Sequence, residues 1–218
     1  MSLDRPFRVP SGVAQRRAAA PREIARVAAA ANDAVPTDWP RIERAFRAGG
    51  AAAAVVVANE LAPWIAQLVR RLVAWRDDAD DLVQDVLVAA LEQRTRFRGD
   101  AALRTWITRI AVNKCRAHQR KQWLRRKLMR GWAEREALTC GPIASTDAES
   151  IAAEQATAVR AAIAQLPTNY REAIVLQYLE NMSIADAAAS LGVRRGTFEV
   201  RLSRARQQLR AFLGGETP

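Results

Sequence analysis

Apolar residues recur at helical spacing along most of the chain. Leu103, Trp106, Ile107, Ile110 and Ala111 fall at positions i, i+3, i+4, i+7 and i+8, which is the spacing of one helix face. No segment keeps the alternation of apolar and polar residues that a strand requires. The same reasoning predicts further helices over residues 38–48, 51–75, 77–93, 123–137, 152–166, 168–180, 183–191 and 195–213. The predicted fold class is all-α.

Capping and breaking residues stand at the ends of these predicted helices. Thr37 or Asp38 can cap the first helix, and Gly49 with Gly50 ends it. Pro63 predicts a bend in the second helix. The fourth helix, which starts near Leu103, is expected to reach about His118, and a separate basic helix is expected from Trp123 to Ala137. Asn181 can adopt the left-handed conformation that closes the helix before it.

The last unit has the pattern of a helix-turn-helix. Ser183 caps a short helix with Asp186 three residues on, and Gly192 permits a sharp turn into a longer helix. One stripe of that longer helix is apolar and predicts packing: Phe198, Leu202, Ala205 and Leu209. A second stripe is polar: Thr197, Arg201, Arg204 and Gln208. In such units the second helix enters the major groove of DNA, although an ordinary helical hairpin gives the same pattern.

Residues 139–146 have the composition of a linker, so they mark the best domain boundary. We therefore expect two small helical domains joined by a flexible linker, the second being a helix-turn-helix domain. The expected order is a flexible N-terminal extension (1–38), a first domain (39–120), a basic helix and acidic linker (121–150), a second domain (151–213) and a tail (214–218).

The charge of the chain is concentrated in one stretch. The net charge is +11, yet residues 94–135 alone hold 14 basic and two acidic residues, a net +12. Residues 136–158 hold four acidic and no basic residues. Cations neutralise phosphates and aromatic rings stack on exposed bases, so this stretch predicts nucleic-acid contact. Aromatic residues lie in or beside it: Trp75, Phe97, Trp106, Trp123 and Trp132.

Several classes of protein are disfavoured by composition. Two cysteines are too few for a disulfide framework and fit a reducing compartment. A single histidine excludes most histidine-based metal sites and Ser/His/Asp triads. The N-terminus lacks the apolar core of a secretory signal. The apolar run 51–58 is followed at once by polar residues and Pro63, so it is too short to span a bilayer, and we expect no membrane insertion.

Two segments of the sequence have metal-binding sites as an alternative interpretation. Asp77, Asp78, Asp80 and Asp81 fit a DDxxD pattern, which binds Mg²⁺ and diphosphate in helical prenyl-transfer enzymes, but no second acidic motif accompanies it. Capping of a helix start explains the same cluster. Cys115 and His118 could form half a zinc site, but zinc usually takes four ligands. We therefore predict no metal and no cofactor.

Two separate segments resemble one family. Asp80-Asp81-Leu82-Val83-Gln84-Asp85-Val86, Phe97-Arg98-Gly99-Asp100-Ala101 and Thr105-Trp106-Ile107-Thr108-Arg109-Ile110-Ala111-Val112-Asn113 resemble region 2 of bacterial extracytoplasmic-function sigma factors, members of the sigma-70 family. Leu166-Pro167, Tyr170-Arg171-Glu172-Ala173, Tyr178-Leu179-Glu180, Leu191-Gly192-Val193, Gly196-Thr197 and 201–206 resemble their region 4. The resemblance covers roughly residues 40–120 and 150–213.

The resemblance implies a non-catalytic initiation subunit of RNA polymerase, which directs promoter-specific transcription in the bacterial cytoplasm. In its first domain, the residues implied to bind the clamp helices of core polymerase are Asp80, Asp81, Leu82, Gln84, Asp85 and Val86. Those implied to recognise and melt the −10 element are Phe97, Arg98, Arg104, Trp106, Arg109, Asn113, Lys114, Arg116 and Arg120. Trp106 also lies on the apolar stripe, so a core position is the alternative for it.

The second domain is implied to bind the polymerase flap and to read the −35 element. The residues that the resemblance places at that element are Arg194, Arg195, Thr197, Glu199, Val200, Arg201 and Arg204. The acidic linker is expected to thread a basic channel of the polymerase, and an anti-sigma partner is expected from the family. Leu103, Glu199 and Val200 depart from the residues common in the family, so a −35 preference does not transfer directly.

The main alternative is a helix-turn-helix repressor or activator that binds duplex DNA without joining the polymerase. It explains residues 159–213 equally well. It leaves the match and the tryptophans of the first domain unexplained.

Overall fold

The computed structural model describes residues 34–75, 79–130 and 151–213. Within these ranges every regular element is helical, which confirms the predicted all-α class. The first domain contains α1 (Trp39–Ala48), α2 (Gly50–Val56), a π-helical turn (Val57–Leu61), α3 (Ala62–Leu72), α4 (Ala79–Glu92), a 3-10 turn (Arg94–Arg96) and α5 (Leu103–Arg130). The second contains α6 (Ile151–Gln165), α7 (Thr168–Ile174), a π-helical turn (Val175–Leu179), α8 (Ile184–Leu191) and α9 (Arg195–Leu213).

The predicted ends of α1 are confirmed. The Asp38 carboxylate accepts a hydrogen bond from the Arg41 backbone N–H at 3.0 Å, which satisfies one of the free donors at the start of the helix. Gly49 ends α1 with φ of 77°, a conformation that L side chains rarely adopt. Phe46 and Ile42 on the inner face of α1 are buried. The helix is therefore fixed at both ends and along one side.

The helical segment from Gly50 to Leu72 differs from the prediction. It runs on through the polar residues after Ala58, and the irregularity is the π-helical turn Val57–Leu61 directly before Pro63. Proline has no N–H for the α-helical bond to residue i−4, and a π-helical turn absorbs that gap. By length and composition alone, the segment from Gly50 to Leu72 qualifies as a helix that could cross a membrane, whereas the sequence pattern singled out only the apolar run 51–58. Here Trp64 and Leu68 are fully buried in the core of the first domain.

Helix α5 corrects a second prediction. It is one helix through residue 130, with no break near His118. Its apolar periodicity fades after His118 because the helix leaves the core there; Arg, Lys, Gln and Leu still favour the helical conformation. Trp123 and Leu128 on this distal part are 62% and 66% exposed. The amphipathic pattern thus marked the end of packing and not the end of the helix.

The two domains pack against each other in the structure. Helix α5 of the first domain lies along α8 of the second, and α3 contacts α7 and the turn that follows it. The predicted linker, residues 139–146, lies outside the described ranges, as do residues 1–33 of the predicted N-terminal extension and the tail. The close packing itself was not anticipated from the sequence.

Candidate nucleic-acid and polymerase interfaces

The helix-turn-helix is built as its capping residues predict. The Ser183 hydroxyl accepts from the Asp186 backbone N–H at 3.1 Å and donates to the Asp186 carboxylate at 2.6 Å. Asn181 has a positive φ of 50°, and Gly192 closes α8 in the left-handed conformation with φ of 66°. These features set the angle at which α9 leaves the turn.

Helix α9 divides into a buried and an exposed face. The four residues of the predicted packing stripe are all buried: Phe198, Leu202, Ala205 and Leu209. The residues expected to read the −35 element lie outside that stripe. Arg194, Arg195, Thr197, Glu199, Val200 and Arg204 are exposed and Arg201 is half-buried. The face opposite the core is thus open to a ligand along the first half of the helix.

The chemistry of that face is cationic with one carboxylate. Arg195 Nε donates to Glu199 Oε1 at 2.9 Å, so this pair partly neutralises itself. Arg204 and Thr197 offer donors that suit phosphates or base edges. The isopropyl group of Val200, 51% exposed, suits the methyl group of thymine. The face can therefore bind a DNA backbone and contact base edges.

The aromatic residues expected to stack on melted bases form a cluster of their own. Phe46, Phe97 and Trp106 lie 5.5 to 6.1 Å apart between ring centroids. The guanidinium of Arg47 covers the Phe97 ring at 5.1 Å. Phe97 is 9% exposed and Trp106 is half-buried. In this conformation Phe97 is a core residue, which corrects its assignment to stacking. Trp106 packs against the core, in agreement with the alternative stated for it.

The polar residues predicted at the −10 element divide into two groups. Arg98, Arg109, Asn113 and Arg120 are exposed and Lys114 is half-buried. Arg109, Asn113 and Arg120 are spaced i, i+4 and i+11, so they follow one side of α5. This side forms an open cationic track that could follow a phosphate backbone. Arg104 and Arg116, in contrast, contact the second domain.

Arg116 forms a bidentate ion pair with a carboxylate of the second domain. Its Nε and Nη2 atoms each lie 2.7 Å from an oxygen of Glu172, and Nη1 donates to the Leu191 carbonyl at 3.3 Å. The hydrogen bonds to Glu172 raise the pKa of Arg116 above its ordinary value, against the opposing effect of burial. The guanidinium is thus fully charged and already occupied by an anionic partner.

Glu180 is the centre of a second contact between the domains. Its side chain is fully buried and accepts from Trp64 Nε1 at 2.8 Å and from Arg71 Nη1 at 2.5 Å. Arg104 Nη2 lies 3.5 Å from the same carboxylate and also donates to the Glu180 backbone carbonyl. Sequence analysis missed this cluster. The available signal was a charged residue in each of two apolar helical stretches, Arg71 and Glu180.

The residues predicted to bind core polymerase lie on α4. Asp80, Asp81, Gln84 and Asp85 are exposed and give an acidic face. Leu82 and Val86 are 3% and 0% exposed, because they lie on the opposite side of the helix and pack into the core. Their assignment to the docking surface is corrected: they hold α4 in place beneath it.

Cys115 is buried in the first domain and is 2% exposed. Burial raises the pKa of its thiol to about 12, with a further contribution from the negative charge of Glu172. A thiol in this state is a poor metal ligand and a poor nucleophile. Cys140, the second cysteine of the chain, lies outside the described ranges. Among the residues that the structure describes, no three metal-ligating side chains come together.

Both domains match known families. The family described as Sigma-70 region 2 matches residues 57–125, and that described as Sigma-70, region 4 matches residues 156–209. Two solved structures are similar to the whole fold. The sigma factor RpoE of Bartonella quintana, in complex with the anti-sigma factor NepR, is 28% identical, with a TM-score of 0.55 over 72% of this chain and 94% of that one. CnrH in complex with the cytosolic domain of CnrY is 28% identical, with a TM-score of 0.54 over 81% and 97%.

Curated relatives extend the likeness. The ECF RNA polymerase sigma factor SigM of Mycobacterium tuberculosis is 38% identical over 63% of this chain, and the aligned part spans 65% of that relative. The RNA polymerase sigma factor CnrH of Cupriavidus metallidurans is 33% identical over 70% of this chain and 82% of the relative. Matches of this kind on both domains, in the same order, settle the family. The chain belongs to the sigma-70 family, in its extracytoplasmic-function group.

Proposed function

We propose that the protein is an alternative sigma factor, which binds core RNA polymerase, recognises the −35 and −10 elements of its promoters and helps to melt the −10 region. The observation that carries the proposal is the presence of an exposed cationic helix face on each of two family-matched domains. On α9 this face includes Arg194 and Arg204, and on α5 it includes Arg109 and Arg120. A duplex-reading helix and a separate cationic track are what a promoter-opening subunit requires.

The second domain supplies the −35 contacts. Arg194, Arg195 and Arg204 would position α9 on the phosphates, while Thr197 and Val200 face the base edges. Glu199 can accept a hydrogen bond from cytosine N4 if Arg195 releases it. The promoter preference would therefore depend on how the Arg195–Glu199 pair is arranged on DNA.

The first domain supplies the −10 contacts and the main polymerase surface. The amide of Asn113 can bond a base edge, and Arg109 and Arg120 can neutralise the strand that is held open. The acidic face of α4, formed by Asp80, Asp81, Gln84 and Asp85, would dock on the clamp helices of the polymerase. We propose that the second domain binds the polymerase flap. The acidic linker would then pass through a basic channel of the polymerase.

On this proposal the protein acts in the bacterial cytoplasm as a subunit without catalytic activity of its own. Its partners are core polymerase, promoter DNA and an anti-sigma factor. The sigma factors in the two similar solved structures are each held by another protein, NepR in one and CnrY in the other, which supports the expected anti-sigma partner.

Reconstitution tests the proposal directly. Purified protein is mixed with core polymerase and with DNA fragments from upstream of its own gene, and run-off transcripts are measured. We expect transcripts that depend on the protein and co-elution of the protein with the core enzyme. Failure of both, together with tight, salt-resistant binding to a duplex operator, would instead identify a repressor.

A further inference from the structure

Two cations that the family resemblance assigns to the −10 element, Arg104 and Arg116, are occupied by carboxylates of the second domain. Arg116 grips both oxygens of Glu172 at 2.7 Å, and Arg104 lies 3.5 Å from Glu180. Glu172 and Glu180 are 3% and 0% exposed, so their ion pairs are buried and differ from the solvent-exposed pairs of a protein surface. A guanidinium held in this bidentate manner has few donors left for a phosphate.

Further hydrogen bonds join the two domains around these carboxylates. Ser190 on α8 donates to the Thr105 backbone carbonyl at 3.2 Å, and Thr105 donates to Asp186 at the same distance. Thr168 at the start of α7 donates to Gln119 on α5 at 3.0 Å. These links lie along α5 between Thr105 and Gln119. The −35 face of α9, in contrast, remains exposed.

The interdomain contacts named above are polar, and that matters for the reversibility of the interface. A buried ion pair gains little net stability over separated, solvated ions, but it fixes one geometry closely. A phosphate backbone offers guanidinium groups the same bidentate geometry as a carboxylate. Polymerase and promoter could therefore open the interface by binding the open state more strongly than the closed one.

We propose that Glu172 and Glu180 hold the free protein in a closed state that withholds Arg104 and Arg116 from promoter DNA. This inference rests on the proposed function, because it regulates the same −10 surface. In the closed state the carboxylates stand in for DNA phosphates. Opening exchanges those intramolecular partners for the promoter and frees the proximal side of α5.

The test uses the full chain with spin labels on exposed residues, Ala54 on α2 and Gln207 on α9, in a Cys140→Ser background. We expect one narrow distance for the parent and a longer, broader distribution for the variant Glu172→Gln/Glu180→Gln. The matched control is Glu43→Gln/Glu60→Gln. It removes two carboxylates that pair with Arg47 and Arg41 inside the first domain, so the distance should stay unchanged.

The second readout is binding to a 20-nucleotide single strand of mixed sequence. Relative to the control, the open variant should bind about tenfold more tightly, a typical coupling for two-state opening. For this variant the slope of the logarithm of the binding constant against the logarithm of the salt concentration should be steeper by about 1.4, since two further phosphates are neutralised. An unchanged label distance, or opening without any gain over the control, would overturn the proposal.

Two further measurements keep the result interpretable. If the double variant does not fold, as judged by helical circular dichroism, Glu172→Gln alone is used, and the salt slope should steepen by about 0.7. Run-off transcription by the parent separates the two proposals. A parent that never initiates transcription contradicts the proposed function, while the label distances still report whether the carboxylates close the molecule.

Discussion

Trp64 donates its indole N–H to Glu180 at 2.8 Å, across 116 residues of sequence and across the boundary between the two domains. Arg71, itself 2% exposed, forms a buried ion pair with the same Glu180 carboxylate. Removing one partner of such a pair costs about 3–5 kcal/mol, because the other charge is left buried and uncompensated. The relative position of the domains is therefore fixed by a few polar groups as well as by packing.

Promoter contact by α9 can be tested at Arg204. We expect Arg204→Ala to weaken binding to a duplex carrying the mapped −35 element by about tenfold, since a contact of this kind contributes about 1–3 kcal/mol. The measurement is run-off transcription and gel shift with the assembled polymerase. Gln207→Ala, on the same helix but outside the predicted set, is the control and should behave as the parent. Equal effects of the two substitutions would contradict the assignment.

Polymerase docking by α4 can be tested at Asp81 and Asp85. Both side chains are exposed, so their replacement by Ala should change the free energy of unfolding by less than about 0.5 kcal/mol. We expect the affinity for core polymerase to fall about tenfold, with a weaker salt dependence, because charges at an interface steer association. The double variant Glu43→Ala/Glu60→Ala removes two carboxylates of the first domain outside α4 and is the matched loss of charge, so it should retain full affinity.

The buried thiol of Cys115 predicts a pH dependence of stability. Its pKa in the folded protein is about 12, against an ordinary value of 9.0. Below pH 9 the Cys115 thiol keeps its proton in both the folded and the unfolded protein, so it has no effect on stability there. As the pH rises further the unfolded thiol ionises first, and stability is lost up to pH 12, by about 1.4 kcal/mol at pH 10.

Urea unfolding at pH 8, 9 and 10 measures this effect in a Cys140→Ser background. The additional substitution Cys115→Ala should remove the alkaline loss of about 1.4 kcal/mol while leaving other pH effects in place. The folded Cys115 thiol should also react slowly with thiol reagents at pH 8. The same alkaline decline with and without Cys115 would show that the thiol is not its source.

Local features were predicted well because their causes are local. The Asp38 and Ser183 caps, the left-handed Asn181 and Gly192 and the buried stripe of α9 each follow from residue types a few positions apart. The residues that line the exposed face of α9 follow from the same periodicity. The extent of α5 was misjudged because periodicity reports burial, and the distal part of that helix is exposed.

The residue pattern alone is enough for the all-helical class, for the resemblance to the sigma-70 family and for the exposed face of α9. The burial of Phe97, Leu82 and Val86, and the ion pairs of Arg104 with Glu180 and of Arg116 with Glu172, emerge only when the helices pack. The physical reason is distance along the chain. Helix faces depend on neighbours within one or two turns, whereas an ion pair between domains depends on how two finished surfaces meet.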